Sequence, residues 1–217
     1  MKFKTSKILG GVGALLMFLG GILSFMNSLY FTITEIMGII LVLLSLYSLA
    51  NFYKNKNGIF YNALFGVLTA IVGVVTASVF MMTTVLSSIE KFLYQMYPNW
   101  NGDMASLQDL TPNTTNLDFS AITSFIIGLL LVLIVLSISA IIAAFFIRRS
   151  LIKLSTYSET GLFATAGTLL LIGALLTILL VGILFVWITG LILAIAFFSM
   201  KEHEHATTHT ITNSLQH

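Results

Sequence analysis

The chain has 217 residues and a formal net charge of +2, with 58% apolar residues, 8% charged residues and no cysteine. Soluble domains carry roughly 25% charged residues, so this composition excludes a soluble globular protein and predicts an integral membrane protein. The lack of cysteine in the sequence excludes disulfides, thiolate nucleophiles and cysteine-held metal sites, and the small net charge argues against a nucleic-acid-binding surface.

The predicted elements are apolar helices, because a helix needs about 20 apolar residues to cross a bilayer. The first four predicted spans are residues 8–26, 33–53, 59–86 and 121–147. The apolar run from Thr160 to Met200 is too long for one crossing, so we expect a turn near Leu180 to Gly182 and spans at 161–179 and 183–200. The prediction is an all-α membrane bundle of six spans over residues 1–202, with five spans as the alternative. Residues 203–217 follow as a flexible tail.

Basic residues near the span ends predict the orientation, because cytoplasmic loops are enriched in Lys and Arg. With the N-terminus inside, Lys91 is the single basic residue outside. The basic residues then predicted to be cytoplasmic are Lys2, Lys4, Lys7, Lys54, Lys56, Arg148, Arg149, Lys153 and Lys201. We therefore expect a multi-pass protein of the cell membrane with both termini in the cytoplasm and an acidic external loop over residues 87–120.

Three stretches carry a family resemblance: the opening KTSKILGGVGALLMFLGG, the central GIILVLLSLYSLANFYKNKNGIFYNALFGVLTAIVGVV and the closing AFFSMKE. In these stretches the chain resembles an archaeal multi-spanning membrane family catalogued as domain of unknown function 996. The resemblance implies an archaeal cell membrane, a fully helical fold and no assigned biochemical activity. It does not extend to residues 87–120 or to the tail, and it brings no functional residues with it.

Candidate sites for chemistry are few. Glu35 lies near the outer end of the second span, where it can serve as a cation or proton site or, more simply, as an interfacial carboxylate at a helix N-terminus. His205 and His209 are four residues apart and with His203 have the spacing to hold a divalent metal. A short Thr-rich tail is more often disordered, so we expect no metal, no cofactor and no catalytic residue.

Two further patterns concern modification and helix packing. Asn113 begins an Asn-Thr-Thr triplet, which is a possible glycosylation site on the external side. The small residues of the third span form one stripe, and such stripes let membrane helices approach closely. The residues of this stripe are Gly66, Ala70, Gly73 and Ala77. We expect the stripe to pack the bundle's own core, with a dimer interface as the alternative; Gly128 on the fourth span lies outside any such stripe.

Three functions remain open from the sequence, the third being a metal-responsive tail. The leading hypothesis is a structural or accessory membrane protein, without enzyme activity, that associates with itself or with other membrane proteins. The alternative is a transporter or channel for a small neutral solute, since hydroxyl side chains on the spans are able to line a weakly polar path. Those hydroxyls more often bond back to carbonyls of their own helix. The hydroxyl residues are Thr69, Thr76, Ser137, Ser139, Thr168 and Thr177.

Overall fold

The structure is a computed structural model that describes residues 3–23, 28–113, 120–179 and 181–201. All regular secondary structure in these ranges is helical. Six helices of the described chain are long and apolar enough to cross a membrane. The predicted all-α class and the predicted number of spans are therefore confirmed.

Seven α-helices form the described part of the chain. They are α1 (Phe3–Leu23), α2 (Ser28–Phe52), α3 (Asn62–Phe80), α4 (Ser87–Met96), α5 (Ser120–Ser158), α6 (Leu162–Leu176) and α7 (Gly182–Ser199). Two π-helical segments, Lys56–Tyr61 and Met81–Leu86, connect α3 to its neighbours, so that Lys56–Met96 is one continuous helix. Short 3-10 helices follow at Met104–Asp109 and Thr177–Leu179.

Two helices run well beyond the predicted spans. Lys56–Met96 has 41 residues and Ser120–Ser158 has 39, so each is about 60 Å long at 1.5 Å per residue, twice the thickness of the hydrocarbon core. The predicted loop at 87–120 therefore begins as helix. Polar residues such as Glu90 do not end a helix, whereas Pro98 disfavours helical geometry at the residue before it, and α4 ends just upstream at Met96.

The last apolar run is interrupted by a tight turn. The 3-10 helix ends at Leu179 and α7 begins at Gly182. A Cβ atom at Gly182 would collide with the carbonyl oxygen of Gly173 and the backbone nitrogen of Thr177. Glycine is therefore required for this close return of the chain, which explains how a turn forms in a segment without polar loop residues.

The chain packs as two compact units. The first comprises Met1–Ala63, Arg148–Leu169 and Trp187–His217, and the second comprises Leu64–Ile147 and Leu170–Val186. In the first unit, α1 and α2 approach so closely that a Cβ on Gly13 would lie 2.8 Å from the carbonyl oxygen of Gly38. In the second unit, Ala77, Val85 and Val132 form a buried apolar cluster.

Candidate functional site

Buried serines join helix ends inside the first unit. The Ser6 hydroxyl donates to the Ser48 hydroxyl at 2.6 Å, and the Ser45 hydroxyl donates to the backbone oxygen of Ser6 at 2.7 Å. The Ser150 hydroxyl donates to the backbone oxygen of Ile59 at 2.6 Å. Buried hydroxyls need such partners, because an unpaired polar group away from water costs about 1–3 kcal/mol. These bonds therefore fix α1 to α2, and α5 to the start of the Lys56–Met96 helix.

A lysine links the first and last helices at the same end of this unit. Lys7 donates from Nζ to the backbone oxygen of Met200 at 2.7 Å, immediately after α7 ends. A helix C-terminus carries partial negative charge and carbonyls without intrahelical partners, so an ammonium group there is favourable. Lys7, near the beginning of α1, thus contacts the chain at the end of α7.

Three of the six hydroxyls that were candidates for a polar path bond back to their own helices. Thr69 and Ser139 donate to Phe65 and Val135, four residues back, each at 2.8 Å. Thr177 likewise donates to Gly173 at 2.9 Å. Ser137 differs, since it is 6% exposed and its Oγ has no hydrogen-bond partner among the residues that the structure describes.

The small-residue stripe lies against α5 within the second unit. A Cβ on Gly66 would lie 2.8 Å from the Ala143 carbonyl oxygen. A Cβ on Gly73 would overlap the Ser139 side chain. Ala77 is 4% exposed, and Ala70 is half-buried. The stripe is thus occupied by a helix of the same chain along Gly66 and Gly73.

Gly128 also lies at a close contact, although no small-residue stripe marks it in the sequence. A Cβ at Gly128 would be 2.9 Å from Thr84 Cγ2 and 3.2 Å from Val85 Cγ2. Both are tighter than ordinary van der Waals contact. The packing of α5 against the Lys56–Met96 helix therefore continues past the stripe into the π-helical segment Met81–Leu86.

The remaining candidate residues are not brought together. Glu35 is half-buried on α2. Asn113 is exposed, and its backbone N–H donates to the Met96 carbonyl at 2.7 Å. His203, His205 and His209 lie outside the described residues. Within the described ranges, no group of three His, Cys, Asp or Glu side chains is placed to hold a metal.

One partly buried contact was missed by the sequence analysis. Trp187 on α7 donates from its indole nitrogen to the Phe18 carbonyl at 2.7 Å, and the two rings stack with centroids 4.7 Å apart. A tryptophan inside an apolar span needs a partner for its N–H. The position of Trp187 in the sequence therefore could have predicted a hydrogen bond to another helix. The contact fixes α7 against α1 at a second point, away from Lys7.

Comparison with known proteins agrees with the resemblance noted in the sequence. A family model described as a protein of unknown function (DUF996) matches residues 34–203, including the 87–120 segment that the resemblance had left out. An uncharacterised protein of the archaeon Methanocaldococcus jannaschii is 28% identical over 206 residues, which cover 93% of this chain and 95% of that protein. No solved structure matches. Because this family model matches more than half of the sequence, the chain belongs to the family of unknown function DUF996.

Proposed function

We propose that the protein is a structural or accessory component of the cell membrane that associates with itself or with other membrane proteins, without enzyme activity. The observation that carries the proposal is the bonding of Thr69, Ser139 and Thr177 to their own helices. A hydroxyl that bonds back to its helix has less capacity to coordinate a passing solute. This bonding favours packing over transport as the use of these helices.

The two longest helices support an association role. In an apolar 18-residue stretch of each helix, 17% is buried in Lys56–Met96 and in Ser120–Ser158. The corresponding share in Phe3–Gly20 is 39%. Both helices are also about twice as long as the hydrocarbon core is thick. They therefore offer an apolar face within the membrane and a polar extension beyond it, which together suit contact with another membrane protein.

The orientation belongs to the same proposal, with the N-terminus in the cytoplasm. Its support is the distribution of basic residues in the first unit. Lys7, Lys54, Arg149 and Lys153 flank helix ends that the Ser6, Ser45 and Ser150 hydrogen bonds join. A single positively charged end is what the positive-inside rule expects of the cytoplasmic side.

Self-association is tested by disulfide cross-linking in native membranes, since the chain has no cysteine of its own. Val72→Cys places a thiol at a position of α3 where the native side chain is 64% exposed. Ile138→Cys places one on α5, where the native side chain is 54% exposed. We expect dimers from at least one of these variants and none from Ala77→Cys, which is 4% exposed and serves as the matched control. Monomers throughout, together with no membrane protein copurifying above a mock capture, would refute the accessory role.

The transporter alternative is favoured by one observation, the buried and unpartnered hydroxyl of Ser137. Buried polar groups without partners are rare and point to a ligand or water at the site. Osmotic swelling of proteoliposomes with glycerol or urea tests it. Faster swelling than in empty liposomes, lost in Ser137→Ala and retained in Ser78→Ala, would replace the accessory role by solute passage.

A further inference from the structure

The turn between α2 and the Lys56–Met96 helix forms an open polar depression with a volume of about 430 Å³. Its lining consists of two lysines and three asparagines, with no acidic side chain. These residues are Asn51, Lys54, Asn55, Lys56 and Asn57. Ammonium groups supply only donors, and each amide has two N–H donors beside one acceptor oxygen. The lining therefore suits an oxyanion.

The backbone of this turn is held in one conformation. Lys54 adopts a φ of 52°, while the N–H groups of Lys54 and Asn55 donate to the carbonyls of Asn51 and Ala50 at 3.2 and 2.9 Å. This is the Schellman arrangement that ends helices, in which glycine usually occupies the left-handed position. A lysine at that position places a charged side chain where a glycine would supply none.

Asn55 is fixed at the base of the depression. Its side-chain oxygen accepts from the Gly58 N–H at 2.8 Å, and its side-chain nitrogen donates to the Tyr157 hydroxyl at 3.0 Å. The ring of Tyr157 also stacks on Tyr53, with centroids 5.6 Å apart. Lys56 lies with Nζ 5.8 Å from the centre of the Tyr47 ring. Asn55 is thus held in place before any ligand binds, with one N–H of its amide donating to Tyr157, and such ordering reduces the entropic cost of binding.

The depression lies between two apolar segments, Ile33–Phe52 and Lys56–Met96. Aromatic side chains flank it on both sides of the turn, as is typical of the level of the lipid headgroups. They are Phe52, Tyr53, Phe60 and Tyr61. Basic pockets at this level of a helical membrane protein bind anionic headgroups. We propose that the depression binds a phosphate group, carried by an anionic phospholipid or present as free phosphate.

The test uses the full chain in a neutral detergent and native mass spectrometry to measure binding of short-chain phosphatidylglycerol and phosphatidylcholine. The variant Lys54→Gln/Lys56→Gln removes both charges from the depression. The control Lys4→Gln/Lys153→Gln removes two charges from exposed positions that do not line it. We expect the first variant to lose phosphatidylglycerol affinity by about tenfold or more, and the control to change by less than about twofold.

Two further arms keep the test decisive. Lys54→Arg/Lys56→Arg should retain binding, and Asn57→Asp should weaken it by placing a carboxylate in the lining, even if the double Gln variant does not fold. Displacement of the lipid by millimolar inorganic phosphate identifies free phosphate as the source, and no displacement identifies the lipid headgroup. Equal losses in both Gln variants, or equal affinity for phosphatidylcholine, would overturn the proposal.

Discussion

The contact between Gly73 and Ser139 gives the most specific prediction of the structure. A Cβ on Gly73 would overlap both Cβ and Oγ of Ser139. Because Ser139 Cβ is fixed to the backbone of α5, the overlap cannot be relieved by a rotamer change, and Gly73→Ala has to push the helices apart. Overpacking of this kind costs about 1–3 kcal/mol, while alanine gains about 1 kcal/mol of helix propensity over glycine. We expect a net destabilisation of up to about 2 kcal/mol.

A substitution at Ser139 separates the cost of the clash from the change in helix propensity. Ser139→Gly removes the overlapping atoms and by itself costs about 0.5 kcal/mol of helix propensity. The double variant Gly73→Ala/Ser139→Gly regains the alanine propensity without the clash. It should therefore be more stable than the sum of the single variants by about 1–3 kcal/mol, a coupling that only residues in contact show.

Thermal unfolding of the purified protein in one detergent measures this coupling. A difference of 2 kcal/mol corresponds to about 4–8 °C in Tm for a chain of this size. Gly73→Leu should lower Tm further than Gly73→Ala, whereas Val72→Leu, at a position that is 64% exposed, should leave it nearly unchanged. Additive single effects, or a Tm that rises in Gly73→Ala, would show that this glycine does not pack against Ser139.

The remaining predictions concern topology and the tail. In the cysteine-free chain, Asn101→Cys should react with an impermeant maleimide from outside, and Asn57→Cys only after the cytoplasmic side is opened; reversed labelling would refute the orientation. Ser214→Cys should also be reached only from the cytoplasm, and external labelling would imply an odd number of spans. Removal of residues 203–217 should leave Tm within about 2 °C, because so short a polar tail adds little to a core. The isolated tail peptide should bind zinc no tighter than micromolar in calorimetry, and submicromolar affinity would instead indicate a metal site.

Hydropathy was sufficient to predict the helical class and the number of spans, because the bilayer imposes a minimum apolar length on each crossing. It did not predict where the helices end. Residues such as Glu90 and Arg149 leave the apolar pattern, but they are good helix formers, so α4 and the end of α5 continue as helix. Hydropathy reports where a helix leaves the membrane, which is a different position from where the helix stops.

Close helix contacts were predictable only where the small residues that permit them are all on one helix. The stripe through Gly66 and Gly73 is visible on α3 alone, whereas the contact of Gly128 depends on Thr84 and Val85 of another helix. The polar depression near Lys54 differs, because residues 51–57 of one turn supply its whole lining; only the bond from Asn55 to the Tyr157 hydroxyl joins it to a distant segment. Pairings between distant segments need either a structure or covariation between related sequences.

The bond from Lys7 to Met200 has a consequence for biosynthesis. Its two residues are 193 positions apart, so at about 5–20 residues per second the ribosome needs about 10–40 s to deliver the second after the first. Through that interval α1 lacks its partner surface on α7. The side of α1 at Gly10 and Gly11, against which Phe197 and Phe198 later pack, then faces lipid or another helix. A nascent chain that stops before α7 would leave that side open, and membrane quality control would thus have a feature by which to distinguish unfinished from finished molecules.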